Sequence, residues 1–253
     1  MSFPTVIFHN GGQYFETQTA QAHPFGTKMI TQDGREFRYG SHTAVALVAG
    51  RLCQMEVPGA NFDELVIPTA QAIGAKAITV TNGATTVTAN QFAGGYMNIE
   101  DDTGEGHLYP IESNAAEGAG SADFVVNLKH GLRIAITTST TVSLTKHPFK
   151  DMLIHPSPPT AMVTGVTPGA NAASGFGWFQ VRGPASVLGE GTLVIARGNM
   201  PSASADGAVT PWTFTLTEGT PNVTDGTEHR AIVGWTMEVA ATTEESLVFL
   251  KLD

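Results

Sequence analysis

Short segments that alternate apolar with polar residues, interrupted by glycine and proline, constrain this chain more than any other feature. The longest wholly apolar run spans residues 44–49, far below the roughly 20 residues that a membrane helix needs. The 253 residues include 28 glycines and 14 prolines, and threonine is dense in residues 78–88, 137–145 and 210–227. Threonine is branched at Cβ, which suits a pleated strand better than a helix. The sequence therefore predicts a mainly β protein.

Three pairs of these segments have the pattern of β-hairpins. Asp33-Gly34 lies between the alternating segments KMITQ and REFRY, and Asp-Gly is favoured in tight hairpin turns because such turns need positive φ. Asn82-Gly83 gives the same signal between AITVT and ATTVT. A further pair of strands is predicted within residues 95–111, around a polar turn.

One segment favours a helix over a strand. Residues 61–77 begin with Asn61, a good N-cap, followed by Asp63 and Glu64, whose charges suit the positive end of a helix dipole. Pro68 argues against one long helix. These residues are the best helix candidate in a chain that otherwise favours strands.

The domain prediction rests on a cluster of prolines. Residues 155–160 read His-Pro-Ser-Pro-Pro-Thr, and three prolines in six residues form a stiff, extended connector. We therefore predict two small antiparallel β-barrel or sandwich modules, residues 27–157 and residues 158–253. Residues 1–26 are broken by glycine and proline, and we expect them to form an extended N-terminal arm.

Charge and cysteine content exclude several classes of protein. Lys plus Arg is 13 and Asp plus Glu is 23, so the net charge is −10, which argues against wrapping nucleic acid. Cys53 is the only cysteine, so no intrachain disulfide can form, and a reducing compartment is expected. The first residues lack the basic region of a signal peptide. We expect no membrane association.

Motifs for catalysis are missing from the sequence. It contains no phosphate-binding P-loop, no complete dinucleotide fingerprint, no Gly-x-Ser-x-Gly and no His-Glu-x-x-His. We therefore expect no enzyme activity and assign no catalytic, cofactor-binding or metal residue, although a hydrolase with a site assembled from distant residues stays open. The best metal candidate is Asp101, Asp102, Glu105 and His107, whose oxygen ligands suit calcium. The alternative for these four is a solvated turn between strands.

Aromatic residues raise a second possibility. Trp178, Phe179, Trp212 and Trp235 either form a platform for a sugar ring or belong to the core of a β domain. Asn222-Val223-Thr224 matches the glycosylation sequon, which we expect to be incidental.

Three stretches carry a resemblance to known proteins. They are DGREFRYG with the small residues up to Cys53 and Gln54, ITVTNGATTVTANQFAGGYMNIEDDTGEGHLYPI, and FGWFQVRGPASVLGEGTLVIARG with the later DGAVT and VGWTMEVA. In these stretches the sequence resembles structural proteins of tailed-phage virions, of the capsid-decorating (cement) type.

This resemblance implies a function and partners. A cement protein binds the outer face of the capsid, contacts the major capsid protein, commonly sits as a homotrimer at local threefold positions, and stabilises the shell without turning over a substrate. It is made in the host cytoplasm and ends on the capsid surface of the virion. No cofactor and no nucleic-acid partner is expected. The alternative is a tail-fibre or receptor/carbohydrate-binding β module.

Overall fold

The computed structural model describes residues 6–9, 11–120, 122–191, 195–212, 231–238 and 244–253, and the chain is mainly β, as the sequence predicts. Short 3-10 turns lie at Gly12–Phe15, Ala60–Phe62 and Ala205–Gly207. Among these residues, no helix is long and apolar enough to cross a membrane. The strands are β1 (Val6–His9), β2 (Lys28–Thr31), β3 (Glu36–Ser41), β4 (Leu52–Gln54), β5 (Leu65–Val66), β6 (Ala77–Thr81), β7 (Tyr96–Asp101), β8 (Leu108–Asn114), β9 (Asp123–Leu128), β10 (Thr141–Thr145), β11 (Leu153–Ile154), β12 (Val163–Val166), β13 (Phe176–Leu188), β14 (Pro201–Ala203), β15 (Val209–Pro211), β16 (Gly234–Glu238) and β17 (Glu245–Lys251).

The chain divides into two compact units, and the division differs from the predicted one. The larger unit combines Met1–Glu56 with Pro148–Asp253, and the inserted unit is Val57–His147. β11 and β12 both pair with β4. The proline-rich residues 155–160 therefore connect two strands of one sheet, and the predicted boundary between residues 157 and 158 is not a division between compact units. A stiff connector also fits this position, because it fixes the path between β11 and β12, which lie on either side of β4.

One large sheet forms the frame of the larger unit. Its strand order is β1-β2-β3-β13-β12-β4-β11, and β17 and β16 extend it beyond the second half of β13. β13 has 13 residues; its first half pairs with β3, and its second half pairs with β17. The register with β3 shifts between Gln180 and Arg182, and Gly183, at φ +87°, follows Arg182, the last residue of β13 that pairs with β3. Two apolar clusters, one around Phe37 and Trp178 and one around Val187 and Val248, pack against this sheet.

The expected N-terminal arm is not confirmed. β1 pairs in parallel with β2, and the ring of Tyr14 stacks on Phe37 with centroids 5.0 Å apart. The backbone N–H of Ala22 donates to the hydroxyl of Tyr39, which donates in turn to Gln18. The described part of residues 1–26 therefore lies against the sheet, because its aromatic and amide groups find partners there.

The inserted unit contains a nearly closed, barrel-like antiparallel sheet. The strand order is β5-β10-β7-β8-β9-β6, and β6 lies beside β5. Alternate residues of each strand point inward, as a pleated strand requires. Its interior holds one apolar cluster, which includes Ile67, Ile78, Met97, Val126 and Val142.

Two of the three hairpins predicted from local sequence patterns are confirmed. β2 and β3 pair around Asp33-Gly34, with Gly34 at φ +81°, and β7 pairs with β8. The hairpin predicted at Asn82-Gly83 is wrong, because β6 pairs with the distant β9. There the buried Asn82 side chain donates to the carbonyls of Thr85 and Gly118 and fixes a loop.

The helix predicted for residues 61–77 is also wrong. The segment holds the end of the 3-10 turn Ala60–Phe62 and strand β5. Leu65 and Ile67 are both buried in the apolar interior of the inserted unit. Burial of two residues at strand spacing, next to Pro68, outweighs the favourable N-terminal charges.

Candidate functional site

The acidic loop singled out as a metal candidate lies between β7 and β8. The Oδ2 atom of Asp102 accepts a 2.7 Å hydrogen bond from the Thr137 hydroxyl, and Asp101 accepts from the N–H of Asp102. The ring of His107 bonds through Nδ1 to the carbonyl of Gly104, 2.8 Å away. Hydrogen bonds from Thr103 and Thr137 lower the pKa of the exposed Asp102 carboxyl. These polar atoms therefore form hydrogen bonds that stabilise the turn.

Metal-binding geometry is not found in the described ranges. Within them, no group of three or more His, Cys, Asp or Glu side chains is placed to hold a metal ion. Asp101, Asp102, Glu105 and His107 thus share a loop without converging on one point. Their arrangement fits the alternative of a solvated turn.

The four aromatic candidates separate into a buried and an exposed pair. Trp178 packs edge-on against Tyr39, with ring centroids 5.2 Å apart, and Phe179 lies in the core with Met152. Trp212 and Trp235 are both more than 40% exposed. The structure therefore assigns the first pair to the core and leaves the second on the surface.

Two clefts of the larger unit are poor in catalytic groups. One, of about 250 Å³, has Arg35 and Glu245 in its lining. Another, of about 380 Å³, is lined by Phe8, His9, Ile30, Thr31 and Gln32. Neither of these two clefts brings a histidine together with a carboxylate.

Strand β1 gives the large sheet an open edge. In the part of the chain that the structure describes, β1 pairs only with β2, and it stands at the end of the strand order. Its Phe8 side chain is 77% exposed and lines the cleft formed with residues 30–32. An edge strand of this kind offers unpaired backbone groups and an apolar contact to an added strand.

The second exposed surface is not predicted from the sequence, which singles out only Trp235 within it. We call it the β16–β17 face, the outward side of β13, β17 and β16, with the exposed apolar side chains Trp235, Met237, Leu247 and Phe249. Trp235 lies opposite Phe249, which lies opposite Pro184 on β13. The signal in the sequence is the continuous run LVFL, since a strand that is apolar on both faces needs a cover on both faces.

Comparison with known proteins identifies no relative. No family model, no curated protein and no solved structure matches the chain. The sequon Asn222-Val223-Thr224 lies outside the described residues.

Proposed function

We propose that the protein is a non-enzymatic structural protein of a virion, which binds the outer face of a tailed-phage capsid and stabilises the assembled shell. The resemblance to cement proteins and the mainly β structure support this proposal. Its partner is then the major capsid protein, and the virion surface is its location.

The open edge of β1 is the observation that carries the proposal. A strand of the shell protein can add to this edge, because main-chain hydrogen bonds supply affinity and side-chain pockets supply specificity. Phe8 provides the apolar anchor, and the cleft beside Ile30 and Gln32 receives a side chain of the added strand. Exposed aromatic anchors commonly dominate the binding energy of an interface.

Stabilisation of the shell follows from mass action. A protein that binds the assembled lattice, and binds free shell subunits weakly, lowers the free energy of the assembled state. This role requires no catalytic group. It does require a surface that fits neighbouring subunits only in their assembled geometry.

The test compares Phe8→Asp with the wild-type protein on tailed-phage heads stripped of their decoration protein. We expect the substitution to lower the number of bound copies at least tenfold, because it places a charge where an apolar contact forms. Ile73→Asp is the control, since Ile73 is 69% exposed and lies in the inserted unit.

Heat-induced DNA release gives the functional readout. Bound wild-type protein should raise the release temperature, and the Ile73 variant should match it. Failure of the wild-type protein to bind any head would overturn the proposed function. Equal binding by the Phe8 variant would overturn only the attachment through β1, and not the proposed function.

The exposed tryptophans favour a second candidate, a carbohydrate-binding module of a tail fibre. Trp212 and Trp235 are accessible to a sugar ring, and aromatic side chains combine apolar surface with a polar edge. A glycan array separates the two functions. Binding to a defined glycan that is lost in Trp212→Ala and Trp235→Ala, without binding to heads, would favour the fibre protein.

A further inference from the structure

The β16–β17 face combines an apolar centre with a buried reverse side. Leu247 and Phe249 of β17 point outward and are each 38% exposed, whereas Val248 and Leu250 between them are fully buried. Trp235 and Met237 of β16 widen the outward side. A contiguous apolar sheet surface of this kind is typical of a protein–protein interface.

Charged residues stand at opposite ends of this face. Arg182 and Lys251 are opposite one another on β13 and β17 at one end. Glu245 begins β17, and Glu238 ends β16, at the other end. Two of these groups already have partners in the chain: Arg182 lies 3.6 Å from Glu36, and Glu238 lies 2.9 Å from Arg197.

The basic end also touches the apolar centre. The Nζ atom of Lys251 lies 5.5 Å from the ring centroid of Trp235. Arg182, Arg197 and Glu238 are each at least half exposed, so water screens their ion pairs and each contributes little to folding. The face as a whole keeps a basic end and an acidic end, about 20 Å apart along β17 at the usual rise per residue.

We infer that a second copy of this chain covers the β16–β17 face, related to the first by a twofold axis that lies in the interface, perpendicular to the strands, at the level of Val248. Such an axis reverses the strand direction of the second copy. It therefore places the acidic end of one copy on the basic end of the other. A twofold axis parallel to the strands would instead oppose like charges.

Charge complementarity is the reason to choose a second copy over another partner. Glu245 and Lys251 are each three residues from Val248, so the axis brings Glu245 of one copy to Lys251 of the other, twice per dimer. Phe249 then packs near Leu247 of the second copy. An isologous interface needs this self-complementarity, whereas the surface of an unrelated protein would have to match both ends independently.

The inference does not depend on attachment to a capsid, and it differs from the homotrimer that the resemblance implies. Sedimentation equilibrium of the full-length protein, from micromolar to several hundred micromolar, measures the mass. We expect a reversible dimer of about 53 kDa, twice the chain mass of 26.6 kDa. We also expect the dimer to weaken as salt increases, because exposed charges are screened.

Charge reversal tests the geometry. Glu245→Lys alone and Lys251→Glu alone each create two like-charge contacts per dimer, and each should raise the dissociation constant at least tenfold. The double variant Glu245→Lys/Lys251→Glu should recover the wild-type dissociation constant. An equimolar mixture of the two single variants should form a heterodimer, since both of its charge contacts are then favourable.

Circular dichroism and thermal unfolding of each variant serve as controls for folding. Arg133→Glu, in the inserted unit, is a matched reversal that should leave the dimer unchanged. A monomer or trimer at all concentrations would overturn the inference. So would single variants that dimerise like the wild type, or single variants that fail to associate when mixed. Each of these results leaves binding to capsids as a separate question.

Discussion

At the scale of single residues, Cys53 lies in the core of the larger unit with Leu47, Met152 and Phe179. Its side chain is fully buried, and burial raises the pKa of the thiol to about 12. A thiol that keeps its proton and is shielded from solvent reacts slowly. We predict that a thiol reagent at pH 8 labels Cys53 only as the protein unfolds, so that the labelling rate rises with denaturant. Rapid labelling of the native protein would contradict this burial.

The same pKa predicts a dependence of stability on pH. The folded thiol keeps its proton up to about pH 12, whereas the unfolded thiol ionises near 9.0. The free energy of unfolding should therefore fall as the pH rises from 9 towards 12, by about 1.4 kcal/mol per pH unit from this group. Urea titrations of wild type and Cys53→Ala measure the difference, since all other groups are shared. Parallel pH profiles would count against the prediction.

At the scale of the element, the strand pairing of the inserted unit leaves no room for a side chain at Gly95. A Cβ atom there would collide with the carbonyl oxygen of Thr145 and come within 3.0 Å of the Lys146 backbone. Backbone atoms of this kind cannot move without separating β7 from β10. We predict that Gly95→Ala lowers the free energy of unfolding by about 3 kcal/mol. Gly118→Ala, where a Cβ meets nothing within 4 Å, should unfold like the wild type in the same denaturant titration.

At the scale of the whole molecule, the inserted unit interrupts the larger unit between β4 and β11. Those two strands pair directly, with Gln54 opposite Leu153. The chain therefore enters the insertion after one strand and leaves it before the neighbouring strand. We predict that a short Gly-Ser linker in place of Val57–His147 leaves the larger unit folded, because closing a short loop costs little entropy. The circular dichroism spectrum of the shortened protein should remain that of a β protein. Its thermal unfolding midpoint should lie within about 5 °C of that of the full-length protein.

The complementary fragment tests the same division. Val57–His147 has an apolar interior of its own, and the isolated fragment should unfold cooperatively in urea. A fragment without a cooperative transition, together with an excised protein that fails to fold, would show that the two units depend on one another for stability.

How far the functional surfaces could be foreseen also depends on scale. The run LVFL at residues 247–250 carries a signal for the β16–β17 face, because it is apolar on both sides of a strand. The partners of that strand do not follow from the run. The sequence indicates Trp212 and Trp235 as aromatic candidates, but only the structure separates them from the buried Trp178. The edge of β1 is open because β1 pairs with β2 alone among the described strands. No residue of β1 encodes this choice of partner.

The sequence by itself determined the β class of this protein and two of its hairpins. Threonine-rich alternation and Asp33-Gly34 act within a few residues, so their effect on structure can be predicted from the sequence. Tertiary structure decided that β6 pairs with β9, that β4 pairs with strands on the far side of an insertion, and that residues 155–160 connect two strands of one sheet. The backbone groups of every strand are chemically alike, and alternation fixes only which face is apolar. Which strands pair with one another is therefore determined by side chains that are far apart in sequence and pack together only in the folded molecule.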